Sequence, residues 1–316
     1  MKILFTCVGR RVELVECFRN AGKELNIDLQ ILATDVTMTA PAICFCDKGI
    51  IAPPIKTEGY IDFLLETCKS ESIDCVIPTI DTDLLVLAQN KSKFEEIGVK
   101  VLVAEPEKVA ICRDKRITSK YFESLGLYAP TTFDNVDEYN QGFPAFIKPK
   151  DGSSSIDAFK VNTKEDLINY AKRVKDYVVQ PFSEGVEYTV DVFCDLDGNP
   201  IFVTPRKRLV VRAGEVLKTE IHQQQDIIND LLKLIKDFKP CGAITVQLIR
   251  NEQKKLNQYI EINPRFGGGA PLSIKAGADS AKALLKCLAG EKMDYQPNAA
   301  EDGAIFSRFD QSVRIK

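Results

Sequence analysis

The residues best suited to do chemistry gather near the end of the chain. Residues 258–263 read Gln-Tyr-Ile-Glu-Ile-Asn, followed by Pro264 and Arg265. As a β-strand this segment turns Ile260 and Ile262 to one side, and Glu261 and Asn263 to the other, because side chains alternate along a strand. Gln247 interrupts the otherwise apolar strand 243–249. Two adjacent strands would therefore bring one carboxylate and two amides together. Hard oxygen donors of this kind suit Mg²⁺, which keeps waters and is shared with phosphates. Arg265 adds a guanidinium where the strand ends. Gly267-Gly268-Gly269 permits close approach of backbone to a ligand. Glu261 or Asn263 alone would be more simply a solvated strand residue. The whole constellation points to Mg-nucleotide chemistry.

A second group precedes it. Lys148 ends the apolar strand 143–148 and stands before the small-residue loop Gly152-Ser153-Ser154-Ser155. A lysine and a loop of amides and hydroxyls suit a phosphate clamp, although the Walker A pattern is absent. Taken alone, the loop is an ordinary hairpin connection. Val178-Val179-Gln180-Pro181-Phe182 is a strand running into a proline, which leaves backbone groups for a purine edge; Glu187 is placed to accept ribose hydroxyls. An ordinary strand end is the simpler reading of that segment by itself. Gly9-Arg10-Arg11 lies between the first strand and first helix, a natural anion site. Asp35, Asp81 and Asp83 follow other strands of the same region. Arg10 and Arg11 with these carboxylates suit an amino acid or another acid-bearing substrate; the alternative is a set of caps and helix-dipole partners. Arg206-Lys207-Arg208 with Arg212 is a positive run that reads first as a solvated strand, and in this company as a guide for anions.

Composition restricts the classes of function. The 316 residues make 35.3 kDa, with a net charge of −3, 45% hydrophobic and 28% charged residues. About two domains are expected at this length. A nucleic-acid binder would be more basic. No apolar run approaches the ~18 residues of a membrane span. The apolar stretch 3–8 meets Arg10 and Arg11 too early for a signal peptide. Ten cysteines occur without a CxxC, and one histidine, His222, is present. Reduced thiols in a cytoplasmic protein are expected, and a Ser-His-Asp or Cys-His mechanism is not. A dinucleotide-binding turn would need Gly-x-Gly-x-x-Gly, which Cys7-Val8-Gly9-Arg10-Arg11-Val12 lacks.

Elements that must position these residues follow from periodicity. Strands are expected at 2–6, 29–34, 74–78 and 100–103, with helices at 11–25, around Ile61–Cys68 and at 83–89. Alternating strands and helices imply a parallel, doubly wound sheet. After a helix at 114–124 the pattern changes: strands at 143–148, 158–161 and 177–181 accompany a helix at 164–172, and after Gly185 the strands, beginning with 186–194, look antiparallel. Asp197-Gly198 and Ala213-Gly214 mark hairpin turns. An amphipathic helix runs from Ile227 to Phe238, and a last helix covers 281–288. The chain thus divides near residues 104–113.

The order Lys115, Lys148, Gly/Ser loop, Gln180-Pro181-Phe182, Glu187, Gln247, Glu261-x-Asn263-x-Arg265 resembles the ATP-grasp superfamily, and within it the units of carbamoyl-phosphate synthase large subunits. The resemblance covers nearly the whole chain. It implies a parallel pre-ATP-grasp domain (1–108) before a two-lobed ATP-grasp domain (109–316) with antiparallel sheets, its small lid lobe at about 115–182 and its larger lobe at about 183–316. Lys115 and Lys148 would contact ATP phosphates, and Gly152, Ser153 and Ser154 would close over them. Gln180, Pro181 and Phe182 would hold adenine, partly through backbone, and Glu187 the ribose. Gln247, Glu261 and Asn263 would hold one or two Mg²⁺ ions, for which Mn²⁺ is a substitute, and Arg265 would meet the transferring phosphoryl group. Gln180 stands where an acidic residue is common, and Gln247 where a carboxylate is common. The implied reaction joins a small-molecule acid to an amine or thiol through an acyl phosphate, in a cytoplasmic enzyme compatible with a homodimer and without nucleic-acid or membrane partners. A regulatory nucleotide-binding protein and one half of a split carbamoyl-phosphate synthase are the alternatives.

Overall fold

A computed structural model describes residues 1–151 and 157–315. The chain opens with β1 (Lys2–Thr6), α1 (Val12–Glu24), β2 (Gln30–Asp35), β3 (Lys48–Ile51), α2 (Tyr60–Glu71), β4 (Cys75–Pro78), α3 (Asp81–Gln89), α4 (Lys91–Glu95) and β5 (Lys100–Val101). These strands form one parallel sheet in the order β3-β2-β1-β4-β5. Both its faces are covered, which is why β1 reads as a continuous apolar run rather than an alternating one. Leu4, Leu32 and Val76 face one hydrophobic core, and Ile3, Phe5, Ile31 and Ile77 the other.

α5 (Pro106–Arg113) and α6 (Lys115–Ser124) follow. The expected division at 104–113 is therefore helical, opened by Pro106 at the first turn. Next come β6 (Ala145–Pro149), β7 (Phe159–Val161), α7 (Lys164–Ala171) and β8 (Tyr177–Pro181). The three strands make an antiparallel sheet in the order β7-β6-β8. Its core is small and separate: Ala145, Ile147, Val161, Leu167 and Val179.

The remainder is β9 (Val186–Cys194), β10 (Pro200–Arg212), β11 (Glu215–Ile221), α8 (Gln225–Phe238), β12 (Ala243–Asn251), β13 (Leu256–Asn263), α9 (Ala270–Lys275), α10 (Ser280–Leu288) and β14 (Ile305–Ser307). Six antiparallel strands form a sheet in the order β13-β12-β9-β10-β11-β14. Asp197-Gly198 and Ala213-Gly214 make the expected turns; Ala213 (φ +49°) and Gly214 (φ +76°) are both left-handed, as a tight hairpin requires. α8 lays Ile227, Leu231, Leu234 and Phe238 into the first core, while α9 and α10 join the second beside α1. Both cores thus run from the N-terminal sheet into the C-terminal half. β3 and α9 were not expected, since both are short and carry weak patterns.

Candidate active site

The floor of the site is the β12–β13 pair. Thr245 stands opposite Asn263, and Gln247 opposite Glu261. The register then slips, because Leu248 pairs with Tyr259 and leaves Ile260 as the extra residue of a β-bulge. This corrects the expected alternation. Tyr259 and Ile262 are buried in the core, whereas Ile260 lines the cleft with Glu261. Glu261 and Asn263 do share a face: Asn263 Nδ2 donates to Glu261 Oε1 at 3.0 Å. Gln247, Glu261 and Asn263 thus meet as expected.

Two cavities join at these oxygen donors. One, of about 240 Å³, lies between the small sheet and the large one. Phe146, Pro181, Phe182, Ile249 and Ile260 give it apolar walls, and Lys148 and Glu187 reach into it. The other, of about 450 Å³, lies between the N-terminal sheet's loops and the large sheet, lined by Arg11, Asp81, Arg206, Arg265 and Gly267-Gly268-Gly269. Lys115, Arg208, Gly214, Gln247 and Glu261 line both.

Lys148 is buried on β6. Its Nζ lies 5.7 Å from the centre of the Phe146 ring. Burial, then the neighbouring Lys115, pulls its ammonium down to about 8, while Glu261 opposes them. Lys115 opens α6 directly after Asp114, whose carboxylate caps the helix by accepting from Arg116 N at 2.9 Å. Lys115 Nζ is 3.5 Å from Lys150 O. Burial lowers its pKa too, again against Glu261. Two poorly solvated ammoniums beside one carboxylate make a place that a polyphosphate stabilises.

The hinge differs in detail from expectation. Gln180 is buried, and its side-chain amide donates to Thr132 Oγ1 at 2.7 Å. Phe182 N donates to Pro144 O at 3.0 Å. These groups brace the small sheet, so the amides expected to face adenine are already engaged. What Pro181 and Phe182 present to the cavity is apolar surface, with Lys160 Nζ 4.0 Å from the Phe182 ring centre. Glu187 reaches the cavity and lies 3.0 Å from Arg208 Nε. Burial raises its pKa, and Arg208 works against that rise.

At the other end, Arg265 Nη2 meets Asp81 Oδ2 at 2.6 Å, and Nη1 donates to Phe266 O at 3.1 Å. Arg265 Nε is buried without a hydrogen-bond partner. Asp81, on the first turn of α3, therefore belongs to the site. So does Arg11, whose Nη2 donates to Thr79 O at 3.0 Å. Burial, then Arg265, lowers its pKa to about 10. The run 206–208 is corrected from a solvated strand: Arg206 is fully buried, its Nε donating to Asp191 Oδ2 at 2.8 Å, and the same oxygen accepts from Ser273 Oγ at 2.6 Å. Arg208 donates to Gly214 O at 2.8 Å and also lines the cleft. Only Lys207 of the three keeps to the rim, 3.6 Å from Glu220. Asp191, Ser273 and Glu215 were missed by sequence reasoning; a carboxylate at Asp191 inside the apolar strand 186–194 was the available signal.

Three expected residues line neither cavity. Arg10 is exposed. Asp35 accepts from Gly9 N at 2.9 Å and fixes the turn after β1. Asp83 is fully buried, accepts from Thr6 Oγ1 at 2.6 Å, and is pushed by burial to about 6. Their carboxylates serve backbone turns and a core hydrogen bond instead. Gly152, Ser153 and Ser154 lie outside the described residues.

The donor set fits Mg²⁺: one carboxylate and two amide oxygens, flanked by ammoniums, suit an ion that takes much of its coordination from phosphates and water. Among the described residues no cluster of three or more His, Cys, Asp or Glu offers an all-protein metal cage.

Known proteins resemble this chain in both its N-terminal and its C-terminal parts. Residues 3–102 match the PylC-like N-terminal domain family. Residues 173–309 match a family described as ATP-grasp in the biosynthetic pathway with Ter operon. The carbamoyl phosphate synthase large chain of Pseudothermotoga lettingae is 24% identical over 312 residues, covering 89% of this chain and 26% of that protein. A putative D-alanine–D-lactate ligase of Streptomyces coelicolor is 23% identical over 159 residues, 49% of this chain and 46% of that one. This chain therefore spans about a quarter and about half of these relatives' lengths. The biotin carboxylase domain of the Hydrogenobacter thermophilus 2-oxoglutarate carboxylase, solved as a dimer with MgADP, ADP and bicarbonate, superposes with a TM-score of 0.74 at 18% identity, over 96% of this chain and 73% of that one. Sequence matches and fold agree: the first part of the chain is similar to PylC-like N-terminal domains, the last part to an ATP-grasp family, and the fold to that of the biotin carboxylase domain.

Proposed function

We propose that the protein is an ATP- and Mg²⁺-dependent ligase that activates a carboxylate as an acyl phosphate and passes the acyl group to an amine. The supporting observation is the meeting of two cavities at Gln247 and Glu261, with Asn263 bonded to Glu261 and Lys115 and Lys148 beside them. The apolar cavity suits a nucleotide base, with Glu187 for the ribose. The arginine-lined cavity suits an acid. Gln247, Glu261 and Asn263 would hold Mg²⁺, which when bound supplies charge neutralisation on phosphate oxygens.

The chain's own groups account for the rest. Lys148 and Lys115 bind and orient the triphosphate. The acid's carboxylate oxygen attacks the γ-phosphorus, the bond to the β-phosphate oxygen breaks, and ADP leaves. Arg265 faces the charge that grows during transfer, held by Asp81 so that it needs little reorganisation. An amine then attacks the acyl carbon, inorganic phosphate leaves, and the amine's proton passes to solvent. No side-chain nucleophile is required, in keeping with a single histidine placed away from the cleft.

In this reading the division falls near residue 108. Residues 115–182 are assigned to the lid lobe; its separate small core spans Phe133 to Val179 and favours movement of that part, while Phe122, Leu127 and Ala129 pack into the first core. A homodimer and a cytoplasmic location accompany the proposal. The test is ADP release from Mg-ATP across a panel of amino acids, dipeptides, hydroxy acids and bicarbonate, with and without an added amine. Release that depends on one acid supports the ligase. Nucleotide binding with no acid-stimulated release favours a regulatory protein, and absence of nucleotide binding refutes both.

A further inference from the structure

We infer that the inner end of the arginine-lined cavity is a second anion subsite, built by Arg11, Arg206 and the Gly267-Gly268-Gly269 backbone, and that a substrate carries there an anionic group other than the carboxylate that is activated. The inference rests on the ligase reading for which carboxylate is activated, but the subsite itself stands on geometry.

Two guanidiniums from distant parts of the chain press against the glycine run. A Cβ on Gly268 would lie 3.1 Å from Arg11 Nη1, and 2.6 Å from Glu215 Oε2. A Cβ on Gly269 would lie 2.4 Å from Arg206 Nη2. The bare backbone is thus what lets both groups reach the cavity wall. Their donors are not used up. Arg206 Nη1 is buried with no hydrogen-bond partner, although the residue is almost wholly enclosed. Among the described residues Arg11 has one hydrogen bond, to the neutral carbonyl of Thr79, and no ion pair. Arg206 is paired through Nε with Asp191, Arg208 with Glu187 and Arg265 with Asp81, while Arg113 donates to Asp81 O.

Charge makes the same point. Arg11 is disfavoured by burial and by the neighbouring Arg265, with Glu215 and Asp81 working against them. Such a group is relieved by an arriving anion, and the planar fork favours carboxylate or phosphate. Arg265 adjoins the Glu261–Asn263 pair where transfer would occur, while Gly268 and Gly269 carry the wall further along. Arg11 is anchored at Thr79 O and Arg265 at Asp81, and the inference assigns a separate anion to each. The substrate class is a dianion: a dicarboxylate, or an acid bearing phosphate.

The experiment is calorimetric titration of succinate, propionate and inorganic phosphate into protein saturated with MgADP. Succinate is expected to bind about 10- to 100-fold more tightly than propionate, the range for one charge-assisted contact. Arg11→Gln should abolish that preference, and Arg11→Lys should keep part of it. Gly268→Ala, which crowds flexible side-chain ends rather than backbone, should reduce it as well. Phosphate binding that competes with succinate and is lost in Arg11→Gln assigns a phosphate-bearing substrate; dependence on Arg11 for succinate alone assigns a dicarboxylate. Equal affinity for succinate and propionate, or a preference that survives Arg11→Gln, overturns the subsite. Failure to bind MgADP speaks against the ligase reading instead, and the same titrations without nucleotide then test the subsite.

Discussion

Lys148 makes opposite demands on the empty and the nucleotide-bound protein, and that opposition is measurable. Its folded pKa is about 8 against an ordinary 10.5. Between pH 8 and 10.5 the unfolded chain holds a proton that the folded chain has released, so stability rises with pH through that window. Below it, folding carries a buried ammonium at a cost. The difference, 10.5 − 8 = 2.5, corresponds at about 1.4 kcal/mol per unit to an upper bound of about 3 kcal/mol. Lys148→Met keeps the chain length and removes the charge. Its unfolding free energy at pH 7 should exceed the parent's by as much as about 3 kcal/mol, and the gain should vanish near pH 10.5. Bound triphosphate reverses the balance. It favours the ammonium, so Mg-ATP binding at pH 9 should take up a proton, and Lys148→Met should bind about 10- to 100-fold more weakly. Urea unfolding at pH 7 and 10 gives the first quantity. Calorimetry at pH 9 in two buffers of different ionisation enthalpy gives the second. A variant less stable than the parent at pH 7, or nucleotide binding without proton uptake, would refute the reasoning.

Three further outcomes are expected. Glu261→Ala removes the one carboxylate where the cavities join, and Mg-dependent ADP release should fall about 100- to 1000-fold while the circular dichroism spectrum is unchanged; full turnover would remove the metal assignment. Asp191→Ala leaves Arg206 buried and unpaired, so thermal or urea unfolding should show a loss of about 3–5 kcal/mol, and a loss below about 1 kcal/mol would contradict the buried pairing. Asp83 is pushed from 3.8 up to about 6, so the folded protein holds its proton longer than the unfolded chain and stability falls as pH rises through that interval. Asp83→Asn should therefore be more stable than the parent at pH 7, by at most about 3 kcal/mol, with no advantage below about pH 4; equal pH profiles in urea unfolding would rule this out.

Much of the architecture is legible because its signals are local. The period-two alternation at 186–194, the Asp197-Gly198 turn and the amphipathic spacing of Ile227 to Phe238 each report on a few neighbouring residues. Glu261, Asn263 and Gln247 are legible for the same reason, being two apart on one strand and central on the next. The bulge at Ile260 is not, since register depends on the partner strand. Short elements escape as well: β3 has four residues and α9 six, too few for a period. The acid-side residues divide similarly. Asp81 and Arg11 adjoin recognisable strand ends, but Arg206 looks like a surface cation until a buried Asp191 is placed across the sheet. Asp35 and Asp83 look like ligands in one dimension because a carboxylate that accepts from a turn amide or a core hydroxyl has the same one-letter code as one facing substrate.

The Arg265–Asp81 ion pair has a consequence for how such a protein diversifies. It ties the first turn of α3 to the segment just after β13, 184 positions later in the chain. In the proposed reading the nucleotide-facing groups come from residue 115 onward, whereas Arg11 and Asp81 come from the N-terminal segment. Recombination that exchanged the N-terminal segment would alter what is presented to the activated phosphate and leave the energy source intact, provided an acidic residue returned at position 81. An exchanged segment would also have to meet the two shared cores and the Glu13–Lys275 and Glu24–Lys282 pairs, so under the ligase reading new acid preferences become reachable by exchange of a segment that keeps this docking face rather than by rebuilding the β12–β13 floor.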